Sequence, residues 1–597
     1  MKQKKLYLLL VSLTPLIFLP YLSSTFHLPK FVWIFFTTVL LFWLGIKERL
    51  FGYCNTFILP VGLFFIWSVI TLTKCINIFA GLHSILLFIL FITFYISLEN
   101  LVARDNTVID VFIKYVVGIT FIVSVYGILQ VSGIDFLRWE VRNSALSTLG
   151  RRNFAAEYLV MVIPYIYYLA LREKKWFLYI VCVFSIVHLI FTFTRASYLA
   201  FFVSVIIFFI LAGVKIPVRS KVVFILIILL FSRIGFSEVK RFERGTITSR
   251  ILIWKVSLKM IRENPFMGVG SGNFIINYPY YGIGEEALRG VSLVVDRVHN
   301  DYLEVAAETG IPGLILFLYL LYCFFQVCFI LYKGLDREKR LLVAGIICSV
   351  VGICVNALAS FPFKNPATLL IFWVNISFAG GLYRKLKGEK PVKVNYSLLK
   401  IYLVLFTLVG SIVSIMGIKA SRCIFFAKSL KGEKALMFAE KSVVYNPFSS
   451  EGIFMAAKLA TKQAEYKKAY RYLIMQKKYE PYSDTLYNNF GLIYFYLMYF
   501  KEAEESFLYS LKLNPIVPDV HNNLGILYLN TGKYDEAIPC FLNATSLKPN
   551  FDLAYFNLGL TYYLKNEYIQ AEKYLKKALE INPEFEDARK LLAEMEK

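Results

Sequence analysis

Apolar residues dominate the first two thirds of the chain in stretches long enough, or nearly so, to cross about 30 Å of hydrocarbon as helices. They fall at 6–23, 30–46, 56–73, 76–98, 109–130, 154–171, 176–193, 196–213, 220–233, 311–332, 342–360, 366–383 and 401–418. Period-two alternation is absent from these stretches, so the pattern predicts an all-α, polytopic membrane helix bundle of about thirteen spans, with the ninth the shortest. One long polar interruption, about 234–310, breaks the series. The N-terminal MKQKK followed by an apolar run has the look of a secretion signal. No small-residue cleavage site follows it and further spans do, so it is read as a retained first helix.

From about residue 420 the pattern changes to polar helices with a fixed period. Gly491, Gly525 and Gly559 recur every 34 residues, as do Tyr494, Tyr528 and Tyr562, Ala503, Ala537 and Ala571, and Pro515, Pro549 and Pro583. The spacing reaches back through Pro481 and Pro447, and through Ala469 and Ala435. Such a period resembles the tetratricopeptide repeat, in which small residues sit where paired helices cross and proline ends the second helix of each pair. Three clear repeats (481–582), a weaker one (447–480), a half repeat joined to the last span and a final capping helix are predicted. The chain therefore divides into a membrane domain, 1–418, and an α-solenoid of repeats, 419–597. Solenoids of this kind bind peptides or proteins, which implies a protein partner; the simpler role is a spacer.

Composition agrees with the pattern. Of 597 residues 58% are hydrophobic and 18% charged, with mean hydropathy +0.59, which excludes a disordered chain and a soluble globular enzyme. The formal net charge of +24 raises nucleic acid as a partner. Its distribution argues against that: the repeats hold 24 Lys+Arg against 21 Asp+Glu, so nearly all the excess belongs to the apolar part. With the N-terminus placed in the cytoplasm, inner segments hold 22 positive charges and short outer segments eight. That bias fixes the expected orientation: the 234–310 loop and the repeat domain lie extracytoplasmic. The nine cysteines form no CxxC or metal-like spacing and read as small core residues. No metal and no cofactor is expected.

Four polar interruptions fall on the expected outer side. They are Arg151-Arg152-Asn153-Phe154-Ala155-Ala156-Glu157 entering the sixth span, Thr192–Ser197 with Arg195 in a turn, Ser249-Arg250 with the following NPFMGVGSGNF run, and His299-Asn300-Asp301-Tyr302-Leu303-Glu304 leading to Glu308 and Gly310. Arginine at a span end is commonly a headgroup anchor. Arginines on the side that disfavours them suit a phosphate-bearing lipid instead, because guanidinium grips phosphate in bidentate fashion and stays charged. Residues 249–263 read as an amphipathic helix resting on the leaflet, with Ile251, Trp254, Leu258 and Ile261 on one face. The glycines at 268, 270 and 272 are read as a turn, since no strand precedes them. Asp301 with Glu304 fits a capping box for a short helix ending at Gly310. His299 then precedes a helix N-terminus, whose positive potential favours the neutral imidazole able to accept a proton. Glu304 or Glu308 is placed to orient it, while His27, His83 and His188 read as ordinary packing histidines.

The run from Arg250 through NPFMGVGSGNF to HNDYLEVAAETGIPG resembles the large outer loop of the O-antigen ligase family, which also includes O-antigen polymerases and bacterial protein O-oligosaccharyltransferases. The TFTRAS turn, the RRNFAAEYL segment and FPFKNP at 361–366 resemble its other marked segments. The resemblance covers about residues 1–385 and implies a metal-independent glycosyltransferase with a GT-C-like membrane fold. Such an enzyme moves a glycan from undecaprenyl pyrophosphate to an acceptor hydroxyl on a lipid, a growing glycan or a protein. It implies that Arg195 and Arg250, with Arg151 or Arg152, hold the donor pyrophosphate and that His299 is the base, with Asn300, Glu304 and Glu308 supporting it. A membrane scaffold or transporter that gathers partners through its repeats is the competing class. A transporter favours charges or broken helices at mid-membrane, and a scaffold has no need of arginines and a histidine on one face.

Overall fold

The computed structural model describes residues 2–52, 55–135, 147–213, 249–283, 297–388 and 394–595, and among them every regular element is helical. The chain forms two compact units: residues 1–250, 257–274 and 297–422 make the first, and 251–256, 275–296 and 423–597 the second.

In the first unit the helices are α1 (Lys2–Ser12), α2 (His27–Lys47), α3 (Ile58–Ile70), α4 (Ile78–Arg104), α5 (Thr107–Val131), α6 (Arg152–Glu173), α7 (Trp176–Phe191) and α8 (Arg195–Ala212). The helix α9 (249–263) begins here, as does α10 (Phe274–Gly282), and α11 (Asp301–Gly334), α12 (Arg337–Asn356), α13 (Pro366–Lys387) and most of α14 (Tyr396–Ser429) complete it. Among the described residues eight helices, α2, α4, α5, α6, α8, α11, α13 and α14, are long and apolar enough to cross a membrane, and α3 and α7 are shorter apolar helices. The expected first span, 6–23, is only partly helical: α1 stops at Ser12 and a 3-10 turn over Thr14–Leu16 follows. Pro15 lies in that turn, where its ring and missing N–H oppose continued helix. The ninth expected span, 220–233, lies outside the described residues.

Core helices α6 and α13 are almost wholly buried, and α12 packs on both α6 and α8 while α13 packs on α4. That fixes where the connecting segments meet. Away from those segments, the carboxylate of Glu99, fully buried on α4, accepts from Asn55 Nδ2 at 2.9 Å and from Thr56 N and Oγ1 at 2.9 and 2.8 Å. Arg384 Nη1 stands 3.6 Å from it.

In the second unit ten helices follow the 34-residue period. They are α15 (Gly432–Tyr445), α16 (Ser450–Lys462), α17 (Tyr466–Tyr479), α18 (Asp484–Tyr496), α19 (Phe500–Leu513), α20 (Pro518–Asn530), α21 (Tyr534–Leu547), α22 (Asp552–Leu564), α23 (Tyr568–Ile581) and α24 (Glu586–Met595). Each second helix ends two residues before Pro481, Pro515, Pro549 or Pro583, as the spacing predicts. The repeated glycines mark real close approaches: a Cβ on Gly491 or Gly525 would sit 2.5 or 2.6 Å from the Phe507 or Phe541 ring.

The turn inside each pair needs one left-handed residue, and the period places Ala464, Met498, Gly532 and Asn566 there, with φ between 58° and 75°. Only one is glycine, although a side chain in this region costs about 1–2 kcal/mol. Met498→Gly is therefore expected to stabilise the repeats by about 1 kcal/mol. The check is thermal unfolding followed by far-ultraviolet circular dichroism; an unchanged or lowered midpoint would refute it.

Candidate active site

The segment between α12 and α13, residues 357–364, is where the sequence-distant residues meet. The Asp301 N–H donates to Ala357 O (2.9 Å), Arg250 Nη1 to Ala359 O (3.2 Å), Ser360 Oγ to Glu157 Oε1 (2.5 Å), and Phe363 N to Asp301 Oδ2 (3.0 Å). His299 lies edge-on against Phe361, ring centroids 5.1 Å apart, and Lys364 Nζ reaches Glu304 Oε1 at 3.0 Å. Arg250 and His299 are thus held by residues two apart in the chain, whose α-carbons lie within about 7 Å.

Local sequence explains these positions. Asn300 is the N-cap of α11, its side chain accepting from Leu303 N at 3.0 Å. The capping box was expected one residue later, at Asp301; that carboxylate instead accepts from Phe363 N, leaving the cap to Asn300. His299, just before the cap, has φ +56°, a left-handed conformation that a non-glycine residue adopts at a cost. Ser147 (φ 48°) and Phe193 (φ 50°) show the same feature shortly before Arg151 and Arg195. At the other end of this first stretch, Gly310 (φ 74°, ψ 178°) breaks α11 into two helices. A Cβ there would lie 2.1 Å from Phe266 O, so the glycine-rich run 265–273 closes against the break. Its N–H groups at Val269 and Gly270 donate to Ala307 O and Glu308 O at 2.8 and 3.0 Å. That run is a structural turn.

Three arginines share one field. Thr194 Oγ1 donates to Asn153 Oδ1 at 3.3 Å, bringing the start of α6 beside the start of α8. Burial, then the charges of Arg195 and Arg152, pulls the half-buried Arg250 guanidinium below its ordinary value. Arg195 and Arg152 are exposed. These side chains sit at helix N-termini, whose unsatisfied N–H groups add positive potential. Arg151, although adjacent to Arg152, lies over the Phe154 ring at 5.9 Å.

The carboxylates expected to orient His299 are engaged elsewhere. Glu304 accepts from Lys364 and lies 3.8 Å from Arg297 Nη1; Glu308 lies 3.9 Å from Lys364 and accepts from Phe274 N at 3.4 Å. Burial pulls the Lys364 ammonium down, but the attraction of Glu304 and Glu308 outweighs it and raises its affinity for the proton overall. Glu157 Oε2, Asp301 Oδ1 and Glu304 Oε2 are buried oxygens without a hydrogen-bond partner among the described residues. Sequence reading missed Arg297, Ser360 and His27 as members of this neighbourhood; Glu157 closes the 151–157 segment singled out there, but without a role. Of the amphipathic helix, Ile251 and Leu258 are exposed at 49% and 55%, whereas Leu252, Val256 and Met260 are buried, so α9 has two apolar faces rather than one. Among the described residues no group of three or more His, Cys, Asp or Glu is placed to hold a metal ion.

Residues 180–318 match the family described as O-antigen ligase, a span that contains Arg195, Arg250 and His299. Residues 518–551 and 553–585 match the tetratricopeptide repeat. Similar solved structures include YrrB, a TPR protein with an unusual peptide-binding site (24% identity, 29% of this chain and 92% of that chain, TM-score 0.25). MamA (26%, 25% and 88%, TM-score 0.23) and the first TPR of Spaghetti bound to an HSP90 peptide (20%, 19% and 90%, TM-score 0.19) are also similar over this part. No curated protein matches the chain.

Proposed function

We propose, from the premise that this chain carries an O-antigen ligase domain and tetratricopeptide repeats in a multi-helix membrane protein, that it transfers a glycan from undecaprenyl pyrophosphate to an acceptor hydroxyl. The observation that carries this reading is that Arg250, which lies within electrostatic reach of Arg195 and Arg152, is held by the same short segment as His299. The three guanidiniums bind the donor pyrophosphate and neutralise the charge that grows on it as the glycosidic C1–O bond breaks. Neutral His299 accepts the proton of the acceptor hydroxyl while its oxygen forms the new bond to C1. Undecaprenyl pyrophosphate departs with the electron pair. Asn300 caps α11 and thereby sets where the imidazole stands, and the Glu304–Lys364–Glu308 group ties that helix to the 357–364 segment. The protein works in a bacterial inner membrane, with this site and the repeats extracytoplasmic and the repeats recruiting a protein partner. No metal takes part.

The direct test is transfer from a purified undecaprenyl-pyrophosphate glycan to lipid, glycan and protein acceptors, with EDTA present. Absence of product with every acceptor would sink the reading, and loss of product only with EDTA would sink metal independence. Inorganic pyrophosphate gives a second test. It is expected to raise the unfolding midpoint of the purified chain, by stabilisation approaching about 2.7 kcal/mol at a hundred times its Kd. Arg250→Gln is expected to remove most of that shift; an equal shift in the variant would exclude Arg250 from the donor site.

A further inference from the structure

The adjacent arginines 151 and 152 face different groups. Arg152 acts on Arg250, whereas Arg151 lies over Phe154, whose other contacts are the His27 ring (centroids 5.0 Å apart) and the Phe361 ring (5.7 Å). His27 is within electrostatic reach of Arg297, Lys30 and Arg151. A second group of cations therefore gathers around His27, joined to the His299–Phe361 contact through the Phe154 ring.

This group has the makings of an anion site. Arg151 is exposed, while Arg297 and His27 are half-buried. Lys30, which acts on His27, is buried at 1% exposure, and its Nζ donates to the Ile17 and Thr148 carbonyls at 2.7 and 2.8 Å. A buried ammonium held by carbonyls gains from an anion arriving nearby. Among the described residues Arg297 pairs with Glu304 at 3.8 Å, and that carboxylate lies closer to Lys364. His27 and Arg151 stand at the starts of α2 and α6, so two helix N-termini add to the field. Phe154 and Phe361 are buried and fix the spacing between this group and His299.

We propose that Arg151, Arg297 and His27 form an acceptor subsite that recognises an anionic sugar, through a carboxylate or phosphate group, distinct from the donor pyrophosphate site. This rests on the transfer reading above, in which Arg152, Arg195 and Arg250 hold the donor pyrophosphate and leave this second group, joined to His299 through Phe154 and Phe361, to the acceptor. Arg151 and Arg297 clamp the anion and His27 donates or accepts one further hydrogen bond. The substrate class that follows is an acceptor whose terminal residues carry acid groups.

The test uses the purified full-length chain in neutral detergent, with isothermal titration of methyl glucuronide, glucose 6-phosphate and neutral methyl glucoside. The wild type is expected to bind the two charged sugars at least 10-fold more tightly than the neutral one, also with pyrophosphate saturating. Arg151→Gln and Arg297→Gln are each expected to erase that preference, and Arg250→Gln to keep it. His27→Gln serves as a milder variant should an arginine replacement fail to fold. No preference in the wild type, or a preference lost in Arg250→Gln alone, would overturn the subsite. So would loss of the preference in phosphatidylglycerol nanodiscs but not phosphatidylcholine ones, which would make it a headgroup site. Transfer assayed on the same preparation separates the two readings: absent transfer with intact preference removes the enzyme assignment, and active transfer without preference removes the subsite alone.

Discussion

His299→Ala is expected to lower glycan transfer by at least about 100-fold, the low end of what a positioned general base contributes. The imidazole stands at a helix start against Phe361, two residues from the carbonyl that holds Arg250. Its backbone, at φ +56°, complicates a simple reading of the alanine variant. Asparagine resolves this, because it tolerates the left-handed region better than most residues but offers no base. His299→Asn is therefore expected to fold as well as the wild type and to be as inactive as His299→Ala. Transfer assays at matched protein levels decide the matter; an asparagine variant within a few-fold of wild type would leave His299 with a structural role only.

The second large effect concerns Lys364. Glu304 is 2% exposed and has Lys364 at 3.0 Å and Arg297 at 3.8 Å. Removing one partner of a buried ion pair costs about 3–5 kcal/mol, because the remaining charge stays desolvated. Lys364 is 31% exposed and Arg297 remains close, so Lys364→Met is expected near the low end, about 3 kcal/mol. Neutralising the orphan should recover much of it: Glu304→Gln combined with Lys364→Met is expected to unfold above the single variant. Thermal unfolding in detergent measures both. A Lys364→Met midpoint equal to wild type, or a double variant lower than the single, would show that the pair does not fasten α11 to the 357–364 segment.

Much of the site was legible because each arginine and the histidine interrupts an apolar run. Arg195, Arg250 and His299 announced themselves by type and company, and the Asn300–Gly310 helix by its ends. What surrounds them was not legible. Glu157 reads as one carboxylate in a span until Ser360, 203 residues away, is seen donating to it at 2.5 Å. His27 reads as a packing histidine until Phe154 and Arg151 are placed beside it. Arg151 and Arg152 read as one feature, and only the turn into α6 sends them to different neighbours.

The sequence by itself determined what depends on local chemistry and period: an all-helical chain, long apolar helices followed by a 34-residue repeat, the prolines that end its helices, and which residue types interrupt the apolar pattern. Tertiary structure decided what depends on packing between distant segments. It shortened the first helix ahead of Pro15, moved the α11 cap to Asn300, committed Glu304 and Glu308 to Lys364, and gathered Arg250, His299, Glu157 and Asp301 around residues 357–364. The physical reason is that hydropathy and periodicity are properties of neighbours along the chain. Charge pairing and hydrogen bonding between helices depend on which faces α6, α8, α12 and α13 bury against one another, and no local pattern encodes that choice.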